Sequence, residues 1–258
     1  DTIYAGTEFM NLNYATNLSA NKTWERINGW RTIRALGSKG DYVFVSGSST
    51  DMYRFQGVGN TWEECSIPEE SDGLNFNNNF GHNEIYLFAA TNNGLYRSSD
   101  YGDNWERLDL DQFLQHSNTI RNVVTQDSII LAGTWEGAYL SYDHGSSWTR
   151  IDKEFSNVYI NSTVLKDSII LLSTNDGIYR SLDMGQSWDQ VVYKICFSVY
   201  EKNDILFAGR WNGEIIRSED YGTTWELANE GLPDVGYVNV FGLSEEYLLV
   251  GFNQPGQG

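Results

Sequence analysis

Several residue types are scarce in this chain, and each scarcity excludes a class of protein. Lys and Arg number 17 against 35 Asp and Glu, which gives a net charge of −18. A nucleic-acid binder that works by counterion release needs basic patches, so that class is excluded. Binding to an anionic membrane surface is disfavoured for the same reason. No apolar run approaches the roughly 18 residues of a transmembrane helix, so we expect no membrane insertion.

Cysteine, histidine and proline are also rare. Cys65 and Cys196 are the two cysteines, too few for a disulfide framework, and no metal-ligand spacing surrounds them. His82, His116 and His144 form no metal motif in the sequence, so we predict no metal site and no cofactor. The chain begins at Asp1 rather than Met, which fits a processed protein or an excised segment. Three prolines beside 25 glycines suit an all-β protein with tight hairpins.

Aromatic residues are abundant, and tryptophan carries the main pattern. The motif S-x-D-x-G-x-x-W occurs four times, beginning at Ser98, Ser141, Ser181 and Ser218, and two eroded copies end at Trp24 and Trp62. The six motif tryptophans lie 37 to 43 residues apart. A period near 40 with about four short strands per unit is typical of a β-propeller.

The motif has a mechanical explanation. Asp can accept hydrogen bonds from backbone amides, Gly tolerates positive φ, and Trp can bury its indole between sheets. We therefore predict a structural role rather than catalysis or metal binding for Asp100, Gly102, Trp105, Asp143, Gly145, Trp148, Asp183, Gly185, Trp188, Asp220, Gly222 and Trp225.

These motifs resemble the Asp-box, or BNR, repeat. The resemblance covers essentially the whole chain and implies a β-propeller like those of sialidases, family 74 glycoside hydrolases, sortilin-type receptors and photosystem II assembly factors. These proteins share a fold and a turn but not an activity. We therefore expect an all-β chain in which residues 1–258 form a single propeller of four-stranded blades.

The number of blades follows from counting strands, named A to D from the channel outward. The chain opens with a B-like segment and ends with A-like and B-like segments over residues 236–258, giving six A, seven B, six C and six D strands. We expect seven blades, the terminal one incomplete and open to a partner that completes it. Six blades remain the alternative.

Ligands are expected where the B–C and D–A loops meet, because the resemblance places these loops together on one face. Long D–A loops are predicted at Ser66–Glu84 and Asp109–Asn118, and Asn75–Phe80 is interpreted as a polar loop. The tryptophans outside the boxes all map to this loop face. The candidate ligand-binding residues are Trp30, Trp135, Glu136, Arg210, Trp211, Arg34 and Arg121, although each Trp could instead cover the rim of its own blade.

Enzyme activity has weak support in the sequence. Three loop-face arginines would suit a sialidase-like clamp on a carboxylate, but none of the prolines completes the Arg-x-Pro that the resemblance requires. A glycoside hydrolase needs two carboxylates across a cleft, and the candidates cannot be narrowed further than Glu136, Asp176, Glu214, Glu69, Glu70 and Asp72. Catalytic residues therefore stay unassigned.

Three functions remain after these exclusions. The first is a non-catalytic, extracellular or periplasmic binding module whose loop face binds a glycan or a protein. The second is a glycoside hydrolase acting on an extracellular polysaccharide. The third is an assembly factor or a subunit of a larger complex.

Overall fold

The fold consists entirely of antiparallel strands in the part of the chain that the structure describes. This computed structural model describes residues 2–7, 11–16, 25–27, 33–47, 52–56, 62–65, 76–110, 114, 117–153, 155, 158–230, 237–243 and 248–253. Within these ranges no helix is long and apolar enough to cross a membrane.

The strands form seven sheets, and five of the sheets have four strands each. The first sheet has three strands: β1 (Thr2–Thr7), β2 (Asn11–Thr16) and β3 (Glu25–Ile27). Two four-stranded sheets follow: β4 (Ile33–Lys39), β5 (Tyr42–Gly47), β6 (Met52–Gln56) and β7 (Glu63–Glu64), then β8 (Phe76–His82), β9 (Leu87–Thr91), β10 (Gly94–Ser98) and β11 (Glu106–Leu108).

The remaining sheets repeat this arrangement. The fourth and fifth contain β12 (Ile120–Gln126), β13 (Ile129–Thr134), β14 (Ala138–Ser141) and β15 (Thr149–Arg150), then β16 (Ile160–Lys166), β17 (Ile169–Thr174), β18 (Gly177–Ser181) and β19 (Asp189–Val192). The last two contain β20 (Cys196–Lys202), β21 (Ile205–Arg210), β22 (Ile215–Ser218) and β23 (Glu226–Leu227), then β24 (Tyr237–Leu243) with β25 (Leu248–Asn253).

The chain divides into two compact units. Unit 1 comprises residues 1–132 and 140–149, and unit 2 comprises residues 133–139 and 150–258. In unit 1, a buried cluster contains Phe44, Met52, Leu87 and Trp105. In unit 2, Leu171, Ile178, Val199, Leu206 and Ile216 belong to a second buried cluster.

The observed strands match the sequence prediction of an all-β propeller fold. The order of elements gives six A, seven B, six C and six D strands, as the sequence predicts. The interpretation of Asn75–Phe80 as a loop was wrong, and the D–A loop predicted at Ser66–Glu84 is too long, because Phe76–His82 forms β8 and pairs with β9. Three asparagines give this inner strand a weak β propensity, and pairing with the neighbouring strand determines its structure. The predicted number of blades and the single domain over 1–258 stay predictions.

Four of the inner strands contain a β-bulge that no residue pattern in the sequence predicts. The register against the second strand shifts between Ile33 and Ala35 in β4, and at the corresponding place in β16, β20 and β24. One extra residue therefore lies near the start of each of these strands: Arg34, Asn161, Phe197 and Asn239. Bulges redirect side chains at the rims of sheets and beside functional sites.

The Asp-box turn at Asp183 shows how the motif closes the hairpin between the third and fourth strands. The Asp183 carboxylate accepts hydrogen bonds from the backbone N–H of Ser187 at 2.9 Å and from its hydroxyl at 2.7 Å. The Ser181 hydroxyl donates to Asp183 at 2.8 Å and accepts from Gly185 N–H at 2.7 Å. The turns at Asp143 and Asp220 repeat these bonds, and in the Asp100 turn Asn104 donates both bonds.

The box glycines combine a special backbone conformation with close packing. Gly145 has φ of +90°, and a Cβ at this position would lie 2.6 Å from Leu108 Cδ1 in the fourth strand of the preceding sheet. Gly185 meets Ile151 in the same way, at 2.8 Å from its Cβ. The box glycine is therefore needed both for the turn and for the contact between neighbouring sheets.

The box tryptophans satisfy their indole N–H groups locally in three of the four turns. Trp148 donates to Gly145 O at 3.1 Å, and Trp225 donates to Gly222 O at 3.1 Å. Trp188 donates to Gly185 O and also to Ile151 O, at 3.2 and 2.9 Å. Trp105 Nε1 is buried with no hydrogen-bond partner among the described residues. Three of the four turns are therefore stabilised partly by a hydrogen bond from their own tryptophan, and the fourth by burial of the tryptophan ring.

Arginines on the third strand connect three of the four box turns to the sheet before them. Arg54 donates to Tyr101 O and Arg97 donates to His144 O, both at 2.7 Å. In unit 2, Arg180 donates to Thr223 Oγ1 at 2.7 Å. Arg97 and Arg180 lie three residues before the aspartates of their own boxes, a regularity that the eight-residue motif leaves out.

We expect Gly145→Ala to lower the free energy of unfolding by about 2 kcal/mol, because the new Cβ combines an unfavourable φ with a clash against Leu108. Urea unfolding followed by tryptophan fluorescence measures the change. The matched control is Ser146→Ala, the next and exposed residue of the same turn. Equal stability of the two variants would contradict the packing role.

We expect acid to destabilise the fold between about pH 4 and pH 2. Hydrogen bonds from Ser147 and Ser187 lower the pKa of Asp143 and Asp183 to about 2, and those from Thr224 do the same for Asp220. The folded pKa is below the unfolded one, so the stabilisation is complete above about pH 4 and is lost as the pH falls to about 2.

Urea midpoints measured across this pH range test the expectation. Asp183→Asn should lower the midpoint at neutral pH and flatten the acid dependence, because the variant has one fewer carboxylate to protonate. Asp127→Asn, which changes an exposed carboxylate outside the boxes, is the control. An unchanged acid slope in Asp183→Asn would count against the role of this carboxylate.

Candidate functional site

In the sheets that carry a box motif, the B–C loop and the Asp-box turn lie at opposite ends. In the sheet β16–β19, Thr174 pairs with Gly177 at one end of the hairpin and Ile170 pairs with Ser181 at the other. The connections between sheets enter at the same end as the B–C loop, because the inner strand starts there. This end of the sheets is called the loop end below.

One threonine builds the same B–C loop in three consecutive sheets. The hydroxyl of Thr134 donates to Gly137 O at 2.9 Å and accepts from Glu136 N–H at 2.9 Å. Thr91 and Thr174 make the equivalent bonds. In the sheet β20–β23, Arg210 takes this place, and its backbone N–H donates to Glu214 O at 2.9 Å. The three threonine loops therefore share a fixed frame with two variable residues at the tip, and the Arg210 loop has three residues between its bonded ends.

The tip residues alternate between amide and indole. The first tip position holds Asn92, Trp135, Asn175 and Trp211 in the four successive loops. The side chains of Trp135 and Trp211 are 47% and 56% exposed, unlike the box tryptophans, which are buried or half-buried. A rigid frame that exposes an indole is suited to binding, since little side-chain entropy is lost on contact.

Each exposed tryptophan has an aromatic neighbour. Trp135 lies against Tyr159, with ring centroids 6.4 Å apart. Trp211 lies against Phe197, the extra residue of the β20 bulge, with centroids 5.5 Å apart. Both neighbours come from the start of an inner strand or the connection before it. The bulge thus explains how Phe197 reaches the rim.

The loop of the sheet β16–β19 and the connection that follows this sheet each contact one aromatic pair. Asn175 Oδ1 accepts from Tyr159 N–H at 2.8 Å. The connection from β19 to β20 reaches the other pair, because Trp211 N–H donates to Ile195 O at 3.3 Å. Gln190, in β19, donates to Asp176 O at 2.8 Å and so joins the loop to the strand before this connection. The two pairs are therefore linked through hydrogen-bonded segments of unit 2.

The loop that carries Trp211 has its own polar support. Arg210 forms an ion pair with Glu214 at 2.7 Å, and this hydrogen bond lowers the pKa of Glu214. Asn229 accepts from Ile215 N–H at 2.7 Å and donates to Gly213 O at 3.1 Å. Both ends of the loop are thereby fixed.

The Trp135 loop rests on the buried carboxylate of an ion pair. Asp152 is 1% exposed, accepts from Arg150 Nε at 2.9 Å and lies directly under Gly137, where a Cβ would collide with its carboxylate. Glycine is therefore required here both for its φ of +136° and for space. This support comes from the end of the fourth strand, as it does for the Trp211 loop.

Exposed apolar side chains concentrate at the loop end of unit 2. Among the residues of this unit whose side chains the structure describes, eight large apolar side chains are exposed, and five of them lie there: Trp135, Tyr159, Tyr193, Ile195 and Trp211. Tyr193 is 78% exposed. Clustered exposed aromatics indicate a binding surface more strongly than scattered ones do.

The structure brings some of the predicted ligand-binding residues together in shared loops and places others in different elements. Trp135 and Glu136 share one loop, and Arg210 and Trp211 share another, all in unit 2. Arg121 lies in β12 of unit 1, where burial lowers its pKa. Arg34 lies in β4, where the backbone alone is described, and Trp30 lies outside the described residues.

The sequence interpretation missed several members of this surface. Tyr159, Tyr193 and Phe197 carry no motif, and the threonines that frame the loops escaped notice. The signal was present as T-x-x-G, which occurs at Thr91, Thr134 and Thr174. No group of three or more His, Cys, Asp or Glu that could hold a metal ion is found in the described part of the chain.

Comparisons with known proteins agree with this repeat and this fold. Residues 95–108 match the family model of the BNR-Asp box repeat, which confirms the resemblance identified from the sequence. No curated protein sequence matches the chain.

Similar solved structures have low sequence identity and therefore inform the fold alone. The extracellular domain of a B. thetaiotaomicron protein described as a hybrid two-component system is 15% identical, with a TM-score of 0.74 over 97% of this chain and 35% of its own. YCF48 bound to D1 peptide is 15% identical, with a TM-score of 0.63 over 92% of this chain and 73% of its own. A GH74 enzyme from Niastella koreensis is 16% identical, with a TM-score of 0.66 over 86% and 45%.

This chain therefore spans about a third of the length of the B. thetaiotaomicron structure. The fold that these structures share is the β-propeller built from antiparallel blades, the fold class predicted from the sequence.

We expect Thr134→Val to lower the free energy of unfolding by about 2 kcal/mol. The isosteric valine leaves Gly137 O and Glu136 N–H without the hydroxyl that joins them in a buried site. The loop should also loosen, which near-ultraviolet circular dichroism of Trp135 would report. Thr149→Val on the exposed side of β15 is the control, and equal effects of both variants would contradict the framing role.

Proposed function

We propose that the chain is a non-catalytic binding module and that the loop end of unit 2 holds a carbohydrate. The observation that carries this proposal is the pair of loops that expose Trp135 and Trp211, each beside a second aromatic ring. The apolar face of a sugar ring stacks on such indoles, while amides and carboxylates nearby can bond its hydroxyls.

Protein side chains are the other ligands that fit exposed aromatics on a rigid frame. The carbohydrate is favoured because amides and carboxylates border the rings on the same loop tips. Asn175, Asp176, Asn212 and Glu214 all lie in the two loops that follow the Trp135 loop. A glycan array detects the first ligand class directly.

A glycoside hydrolase is less well supported. Its general acid needs a raised pKa, and the hydrogen bond from Arg210 lowers that of Glu214. Asp176 already accepts from Tyr179 Oη at 2.8 Å. Glu69, Glu70 and Asp72 lie outside the described residues. These contacts suit structural carboxylates more than a catalytic pair.

An extracellular or periplasmic location fits this proposal. Structures with the same fold include an extracellular domain, and an acidic surface with exposed aromatics suits binding to external glycans. The location is tested by finding the full protein in the secreted or periplasmic fraction.

A role as a subunit of a larger assembly is the second candidate, and one observation favours it. Among the described strands, β25 pairs with β24 alone, whereas five other sheets have four strands. A strand from a partner could extend this sheet, since strand edges bind added strands. Protection of β25 amides from hydrogen exchange in the assembled state would support it.

We expect the double variant Trp135→Ala/Trp211→Ala to abolish glycan binding without lowering stability, since both side chains are largely exposed. A glycan array with wild type and variant measures this. The matched control is Tyr142→Ala/Leu182→Ala, which removes two side chains of similar exposure at the box turns. Equal loss in the control, or unaltered binding by the first variant, would refute the assignment of the surface.

A further inference from the structure

We infer that the ligand is a neutral oligosaccharide long enough to contact both tryptophan pairs at once. This inference rests on the proposed function and adds the length and the charge of the ligand. The contacts of the loops at residues 134–137, 174–177 and 210–214 support it.

The two pairs are separate platforms rather than one pocket. Trp135 packs on Tyr159, and Trp211 packs on Phe197. The contacts that link the two pairs run through the loop of Asn175 and Asp176 and through the connection that contains Tyr193 and Ile195. One sugar ring covers one aromatic face, so a single residue cannot occupy both platforms.

Hydrogen-bonded segments with both polar and apolar exposed side chains link the two pairs. Asn175 contacts the first pair through Tyr159 N–H at 2.8 Å, and Ile195 contacts the second through Trp211 N–H at 3.3 Å. Asn175 and Asp176 are exposed on this path. Aromatic ends with a hydrogen-bonding centre suit a chain of hydroxylated rings, because each ring can stack or bond in turn.

The carboxylates on this path are already engaged by protein groups. Glu214 pairs with Arg210 at 2.7 Å, and Asp176 accepts from Tyr179 and from Gln190. A cationic ligand would therefore have to displace existing partners. An anionic ligand would meet a chain of net charge −18. A neutral glycan meets neither obstacle.

Isothermal titration with sugars of increasing length tests the inference. The probes are neutral oligomers of glucose, mannose, xylose and galactose from monosaccharide to hexasaccharide, with chitosan and oligogalacturonate oligomers as charged counterparts. We expect wild-type affinity to rise with length for at least one neutral series and to exceed that for both charged series.

The single variants Trp135→Ala and Trp211→Ala test whether the ligand contacts one aromatic pair or both. Each should lose about tenfold in affinity for the hexasaccharide that binds wild type. Each should lose no more than about twofold for the shortest ligand of that series, which can bind the remaining platform. Tyr142→Ala, equally exposed at a box turn, should change neither.

The possible results are distinguishable. Equal wild-type affinity for short and long sugars would overturn the two-platform inference and leave the proposed function standing. Binding of charged oligomers in preference to neutral ones would overturn the ligand class. Failure of every sugar, with the protein folded, would overturn the proposed function as well.

Discussion

The fold depends on the carboxylate of each Asp-box turn. Asp143 accepts a backbone and a hydroxyl hydrogen bond from Ser147, and the Ser141 hydroxyl joins Asp143 to Gly145 N–H. These bonds hold the turn in a shape that presents a glycine to the neighbouring sheet. Without them the glycine would not meet Leu108, and the contact between sheets would be lost. The hydrogen bonds of the turn and the packing between neighbouring sheets therefore depend on each other.

The opposite ends of the sheets are built differently, and under the proposed function that difference separates stability from binding. In the box turns, the polar groups form hydrogen bonds with one another, and most of each tryptophan is buried. The loop ends use a single threonine, as at Thr134, to fix the frame and leave the tip free to vary. Trp135 and Trp211 occupy tips whose equivalents are Asn92 and Asn175. A repeat can thus change its binding surface without disturbing its core.

Much of this fold can be predicted from the sequence because the box motif indicates both the length of the repeat and the geometry of its turn. The four-stranded repeat follows from counting strands, and the place of Trp135 and Trp211 at the loop end follows from that count together with the Asp-box resemblance. The strand Phe76–His82 could not be predicted, since its asparagines resemble a loop and its pairing with β9 decides its structure. Phe197 was missed for a related reason, because the bulge that brings it to the rim is a property of pairing rather than of residue type.

The central claim is that the loop end of unit 2, and not the box end, meets the ligand. The most direct measurement is the indole N–H spectrum by nuclear magnetic resonance as the glycan selected by the array is added. We predict that the signals of Trp135 and Trp211 shift, while those of the box residues Trp148, Trp188 and Trp225 stay in place. Shifts confined to the box tryptophans would contradict the account.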